Sequence, residues 1–191
     1  MKSPLKLIFA TALLAGSSQA ALISGPGQIT ASTTIDFAGG FGSIEQIADG
    51  VGLNVDGNPF NGYGPNASSG TITLTLNGTF TLYDFYLAND INVDREGARE
   101  FQLSFYDAND TLITTTGTLT GPLGSIPAVT YNLGEINGVS RVDFHILNVY
   151  TENLQRIEIR EVAFNGIQQV PEPSAALLAG ISLLAFARRR R

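Results

Sequence analysis

The chain has 191 residues, 43% of them hydrophobic and 15% charged, with one histidine, no cysteine and a formal net charge of −6. That length suits one domain with a sizeable core once targeting segments are set aside. Without cysteine there is neither disulfide support nor thiol chemistry, and a single histidine excludes a multi-histidine zinc site.

Residues 1–20 begin with Lys2 and Lys6, continue through the apolar run 7–15 and end in Ser18-Gln19-Ala20. A basic start, a short apolar stretch and a small-x-small site, in that order, read as a secretory signal peptide. Export with cleavage after Ala20 is the expectation. The domain then spans residues 21–169 and keeps Arg95, Arg99, Arg141, Arg156 and Arg160 against 16 acidic residues, a net charge of −11. So acidic a surface repels nucleic acid and anionic membranes, and leaves cations and neutral ligands as partners.

Within the domain the pattern is β. Strands are expected at 29–37, 71–76, 79–87, 100–107, 111–118, 127–133, 141–147 and 155–164. Strict period-two alternation marks three of them, through Ile72, Leu74 and Leu76, then Phe101, Leu103 and Phe105, then Val142, Phe144 and Ile146. Residues 41–48 hold room for one helical turn. Residues 54–70 form a glycine- and proline-rich loop in which Phe60 and Tyr63 have no evident strand to bury them. Asp107-Ala108-Asn109-Asp110 reads as a hairpin turn. His145 alternates with Phe144 and Ile146 and is expected to face outward. Many short strands with glycine-rich loops indicate an all-β antiparallel sandwich or barrel.

Alternation breaks once. In the stretch Arg156 to Phe164, Ile157 and Ile159 share a face, so period two would send Glu161 inward, yet Val162 and Phe164 resume on the other parity. Either a bulge resets the register near Arg160 and Glu161, or a carboxylate faces the interior and needs a partner.

The chain closes with Val170-Pro171-Glu172-Pro173-Ser174, the apolar run 175–187 and four arginines at 188–191. Thirteen apolar residues are short for a membrane span, which takes about 20. The arginines would remain cytoplasmic, and the two prolines keep the preceding segment extended. This tail, 170–191, resembles the PEP-CTERM sorting signal of Gram-negative bacteria, carried by Pro171, Glu172, Pro173, the apolar run and the arginines. The resemblance implies transient residence in the inner membrane as a short transmembrane helix, recognition by an exosortase-type processing enzyme, and a cell-surface or extracellular-matrix destination.

A second resemblance rests on the order of features between residues 28 and 166. Asp49-Gly50 comes first, then the strand Thr73-Leu74-Thr75-Leu76, then Phe101 to Asp110, and last Glu161-Val162 running to Gly166. This series is similar to the discoidin-like, galactose-binding-like jelly roll used by many carbohydrate-binding modules, although the family's tryptophan after the Asp-Gly is missing. The resemblance implies a structural calcium ion held by Asp49 and Glu161, with Asn54 from the following loop as a further ligand. The loop aromatics Phe60, Tyr63 and Tyr150, with Arg95 offering a planar fork of donors, are the candidate carbohydrate contacts. No nucleophile elbow or phosphate loop occurs, and no carboxylate pair stands out. The expectation is an exported, non-catalytic module that binds surface or matrix polysaccharide. The alternatives are a structural surface protein without a small ligand and, more remotely, a weak polysaccharide hydrolase.

Overall fold

The computed structural model describes residues 19–36, 40–55, 62–89, 97–124, 126–150 and 156–169. The expected signal peptide and sorting tail, with Pro171, Glu172, Pro173 and the transmembrane run, lie outside them. Among the described residues ten strands form: β1 (Ala21–Ile23), β2 (Ile29–Thr33), β3 (Phe41–Gly42), β4 (Tyr63–Gly64), β5 (Gly70–Asn89), β6 (Ala98–Tyr106), β7 (Leu112–Thr115), β8 (Leu119–Thr120), β9 (Val129–Val149) and β10 (Ile159–Gln168). A 3-10 turn, Ile44–Ala48, stands between β3 and β4. All pairings are antiparallel.

β5 and β9 organise the molecule. Each is about twenty residues long and absorbs two of the strands expected from the sequence. They pair along their whole length as one ribbon, from Gly70↔Ile146 to Leu87↔Val129, with register shifts between Thr75 and Asp84. Those shifts fold the ribbon over, because bulges are how strands turn the corner between packed layers. Gly78 (φ 130°) and Gly138 (φ 80°) sit at the fold in conformations that side chains other than glycine rarely adopt. One layer therefore has the order β10-β5-β9, with β1 and β4 beside β10. The other has the order β2-β5-β9-β6-β7, with β8 continuing the outer edge.

The two halves of the ribbon meet through aromatic rings. Phe85 of the first layer lies 5.6 Å from Phe144 and 5.9 Å from Phe101 of the second, and 5.3 Å from Phe164 beside it. Phe101 and Phe144 pack edge-on at 5.2 Å and 88°. Edge and tilted contacts of this kind suit the ring quadrupoles and add to the gain from burial. The nine apolar residues picked out by alternation are all in this core, whose members run from Ile23 to Phe164, so it closes without either terminal segment.

The outer face of the second layer is polar. His145 is half-buried there, its Nδ1 at 3.0 Å from the Thr71 hydroxyl and its Nε2 at 3.0 Å from that of Ser104. Both ring nitrogens are committed to a cross-strand ladder, which is a structural task. The hairpin between β6 and β7 has the expected turn. The Asp107 carboxylate accepts from the Asn109 and Thr111 amides at 2.8 and 2.9 Å, and Asp110 takes φ 61°.

Candidate functional site

The folded ribbon gives the sandwich two different ends. At one, β5 finishes at Asn89, β6 and β10 begin, and β9 finishes at Val149. The connections there are tied to one another. The Gly97 amide donates to the Arg156 carbonyl at 3.2 Å, and the Tyr150 amide donates to the Gly97 carbonyl at 3.2 Å. Asn89, wholly buried, uses its side-chain amide to donate to the Ala98 and Pro122 carbonyls at 2.9 Å each, and accepts from the Ala98 amide. The Tyr150 hydroxyl donates to the Gly121 carbonyl at 2.7 Å. A buried polar group so fully bonded fixes loop positions, because displacing it leaves several partners unsatisfied.

Arg156 extends this assembly to the glycine-rich loop. Its Nε donates to the Asn66 side chain at 2.9 Å, its Nη1 reaches Glu158 at 3.0 Å, and its guanidinium lies 5.0 Å from the centre of the Phe41 ring. Segments around residues 41, 66, 97, 121, 150 and 156, remote in sequence, thus converge at one end. Among the described residues, Tyr150 and the loop-flanking Asn66 and Gly97 share that end.

The individual residues divide. Tyr150 is half-exposed at the converging loops, and burial pushes its hydroxyl above the usual tyrosine range. Tyr63 requires a correction: it is 3% exposed, so its ring is not a free stacking platform. The reason is that it belongs to β4, paired with Gly42 on one side and Ile159 on the other. It lines a cleft of about 330 Å³ together with Thr33, Ile35, Ser43, Ile44 and Glu45. Phe60 and Arg95 lie outside the described residues.

Just inside this end, the start of β10 carries the break in alternation. Both readings of it hold. The β10–β5 register shifts between Ile159 and Glu161, which is a bulge, and Glu161 is at the same time wholly buried, as is Arg160. Arg160 Nε donates to the Gly52 carbonyl at 2.9 Å. Glu161 Oε1 accepts from the Gly50 amide at 3.2 Å, whereas Oε2 is buried without a hydrogen-bond partner. Burial raises this carboxyl to about 9, and the facing Asp49 adds to the rise against the opposing pull of the Gly50 and Val51 amides. Asp49 itself accepts from the Val51 amide at 2.8 Å. Residues 49–52 can lie against β10 because of their glycines. A Cβ on Gly52 (φ 123°) would stand 2.9 Å from Arg160 Cγ and 3.4 Å from Glu161 Cβ.

A hard cation that takes oxygen ligands fits this arrangement, because it would neutralise two facing carboxyl groups and engage the unpartnered oxygen. Among the described residues no three His, Cys, Asp or Glu side chains gather at one point, so backbone carbonyls would complete the shell. Asn54 is exposed in the turn beyond Gly52.

At the opposite end of the sandwich the strand β10 finishes. Gln168 and Gln169 bond to the carbonyls of Asn77 and Thr79 at 3.2 and 2.7 Å. Gln169, the last described residue, is therefore at the end away from the converging loops.

Comparison with known proteins matches residues 169–191 to the PEP-CTERM protein-sorting motif. Such a motif marks a chain for export to the cell surface or beyond. Among solved structures, the fold is similar to the family 32 carbohydrate-binding module of NanJ from Clostridium perfringens, in complex with galactose. The TM-score is 0.54 at 12% identity, covering 76% of this chain and 99% of that one. It is also similar to the family 32 carbohydrate-binding module of Streptococcus pneumoniae EndoD (TM-score 0.58, 14% identity, 75% and 98% covered). A fucose binding module from Streptococcus pneumoniae is a third neighbour (TM-score 0.51, 16% identity, 75% and 96% covered). A search of curated protein sequences finds no match. The domain thus has the discoidin-like, galactose-binding-like jelly-roll fold.

Proposed function

We propose that this protein is an exported, non-catalytic carbohydrate-binding module that presents its loop end to surface or matrix polysaccharide. The observation that carries this reading is the convergence of Tyr150, Gly97, Arg156 and Asn66 at the end opposite Gln168 and Gln169. The fold of the carbohydrate-binding neighbours supports the same reading. An exosortase-type enzyme is the proposed processor of the tail, acting at or near Pro171-Glu172-Pro173. Calcium is the proposed structural ion, held by Asp49 and Glu161 with neighbouring carbonyls and with Asn54 as a further ligand. When bound it would supply the positive charge that keeps Glu161 ionised at neutral pH. The protein's own contribution is the turn of residues 49–52, pinned to β10 where Arg160 Nε donates to the Gly52 carbonyl.

The test is a glycan array probed with residues 19–169 in calcium. Binding to a defined set of sugars supports the reading. Silence across bacterial polysaccharides, with the folded state verified by circular dichroism, overturns it in favour of a purely structural surface protein.

A further inference from the structure

β2 forms the margin of the second layer, and its far side faces the 3-10 turn. Its register against β5 runs unbroken from Ile29↔Leu76 to Thr33↔Ile72. The Asn77 amide donates to the Gln28 carbonyl at 2.9 Å. By antiparallel alternation Thr30 and Ser32 then bond towards β5, while the amide and carbonyl of Ala31 point to the far side. Among the described residues no backbone bond from the turn answers them.

Two clefts lie between strand and turn. The first, of about 360 Å³, is lined by the apolar Pro26, Ile29, Ala31 and Ala48 together with Glu45 and Asp49. The second is the cleft of about 330 Å³ at Tyr63, where Ile35 and Ile44 supply apolar surface. Glu45 lines both, and no lysine or arginine lines either. The turn that carries Glu45 is fixed at its start, where the Gln46 side chain accepts from the Ser43 amide at 2.7 Å. Glu45's own amide, and after it the Ser43 hydroxyl, hold the Glu45 carboxyl below the usual range, so it is ionised at neutral pH. At the second cleft burial, and after it the charge of Asp36, push the Tyr63 hydroxyl up. The two clefts form one groove with an apolar floor and a negative field.

We propose that this groove beside β2 is a binding site for an amine-bearing glycan, one whose sugar units carry protonated amino groups. Charge selects the ligand. A domain of net charge −11 attracts a cationic chain and repels an acidic one, and an ammonium group at Glu45 makes a charge-assisted hydrogen bond. The apolar face of a sugar ring covers Ile29 and Ala48, and the outward amide and carbonyl of Ala31 bond its hydroxyls. Concave sites of this size, mostly apolar with a few placed polar groups, suit compact ligand units. A basic peptide fits less well, because strand addition needs a row of free edge groups. The Ile29 amide is already committed to the Gly25 carbonyl at 3.3 Å, which leaves Ala31 too little edge for a strand. The groove lies on the flank where the chain passes from β1 to β2, apart from the converging loops, so this site and the loop-end site stand or fall separately.

Residues 19–169, within which the core closes, are titrated at pH 6 with a β-1,4-linked glucosamine tetramer, with its fully N-acetylated counterpart and with tetralysine, and amide chemical shifts are followed. The free-amine tetramer should move the Ala31, Glu45 and Gln46 amides and should weaken as salt screens the charge. N-acetylation removes the charged donors and should weaken binding at least about tenfold. Tetralysine, with similar charge and no ring, should bind more weakly than the free-amine glycan. Glu45→Gln, its fold checked by circular dichroism, should weaken the free-amine tetramer about fivefold. Should that variant fold poorly, the acetylation comparison on the unaltered protein decides the matter alone. Equal binding of the two glycans, tetralysine that matches the free-amine tetramer, shifts confined to Asn66, Gly97 and Tyr150, or no binding of the free-amine tetramer overturns the proposal, whatever sugars the loop end takes on the array.

Discussion

Glu161→Gln is the substitution that most sharply separates a cation site from a mere buried acid. In the metal-free protein burial raises the Glu161 carboxyl from 4.5 to about 9. The folded state therefore keeps a proton that the unfolded chain has released. Stability is fully present below pH 4.5 and falls as pH rises towards about 9, because the folded state binds more protons across that window. At pH 7 the gap is about 2.5 pH units, worth roughly 3 kcal/mol, or on the order of 10 °C in melting temperature for a domain of this size. Glutamine keeps the shape and the acceptor for the Gly50 amide but cannot ionise. The metal-free Glu161→Gln protein should gain up to about 3 kcal/mol at pH 7 and show little slope from pH 5 to 9. With calcium the order should reverse, since a ligand that binds only the folded state stabilises it by mass action and here needs the carboxylate. The assay is thermal denaturation by circular dichroism at pH 5, 7 and 9, in chelator and in calcium. Metal-free stability that rises with pH, or a calcium shift of equal size in both proteins, refutes the reasoning.

Phe85→Ala should lower stability by about 4 kcal/mol in urea titration, because the ring joins the two layers and its loss leaves a cavity among Phe101, Phe144 and Phe164. Asn89→Ala should lower it by about 3 kcal/mol through loss of three buried hydrogen bonds, and should speed amide exchange at Ala98 and Gly97 ahead of the rest of the domain. Replacing Pro171, Glu172 and Pro173 by alanines should retain the chain in the inner membrane, while intact mass of the released native protein should show the terminal arginines gone.

The strands whose alternation was strict were legible because one face of each is core and the other solvent. Their continuity was not. Strands were expected separately at 71–76 and 79–87 and at 127–133 and 141–147, whereas glycines at positive φ between them fold one long ribbon without ending it. Tyr63 was misread for a related reason: two-residue strands such as β4 leave no periodicity, so the ring had no visible partner. At Glu161 the pattern exposed the anomaly and left two readings, and both are realised because the bulge is what turns Arg160 and Glu161 inward together. The union of loops through Arg156, Gly97 and Asn89 had no sequence signal, since it depends on bonds between segments up to 90 positions apart.

Amide chemical-shift mapping of residues 19–169 on addition of a glycan found by the array shows whether the loop end binds carbohydrate. Perturbations should gather at Asn66, Gly97, Tyr150 and Arg156. Perturbations confined to Asn77, Thr79 and Asp107 at the opposite end, or none at saturating sugar, would show that the loop end is not the binding surface.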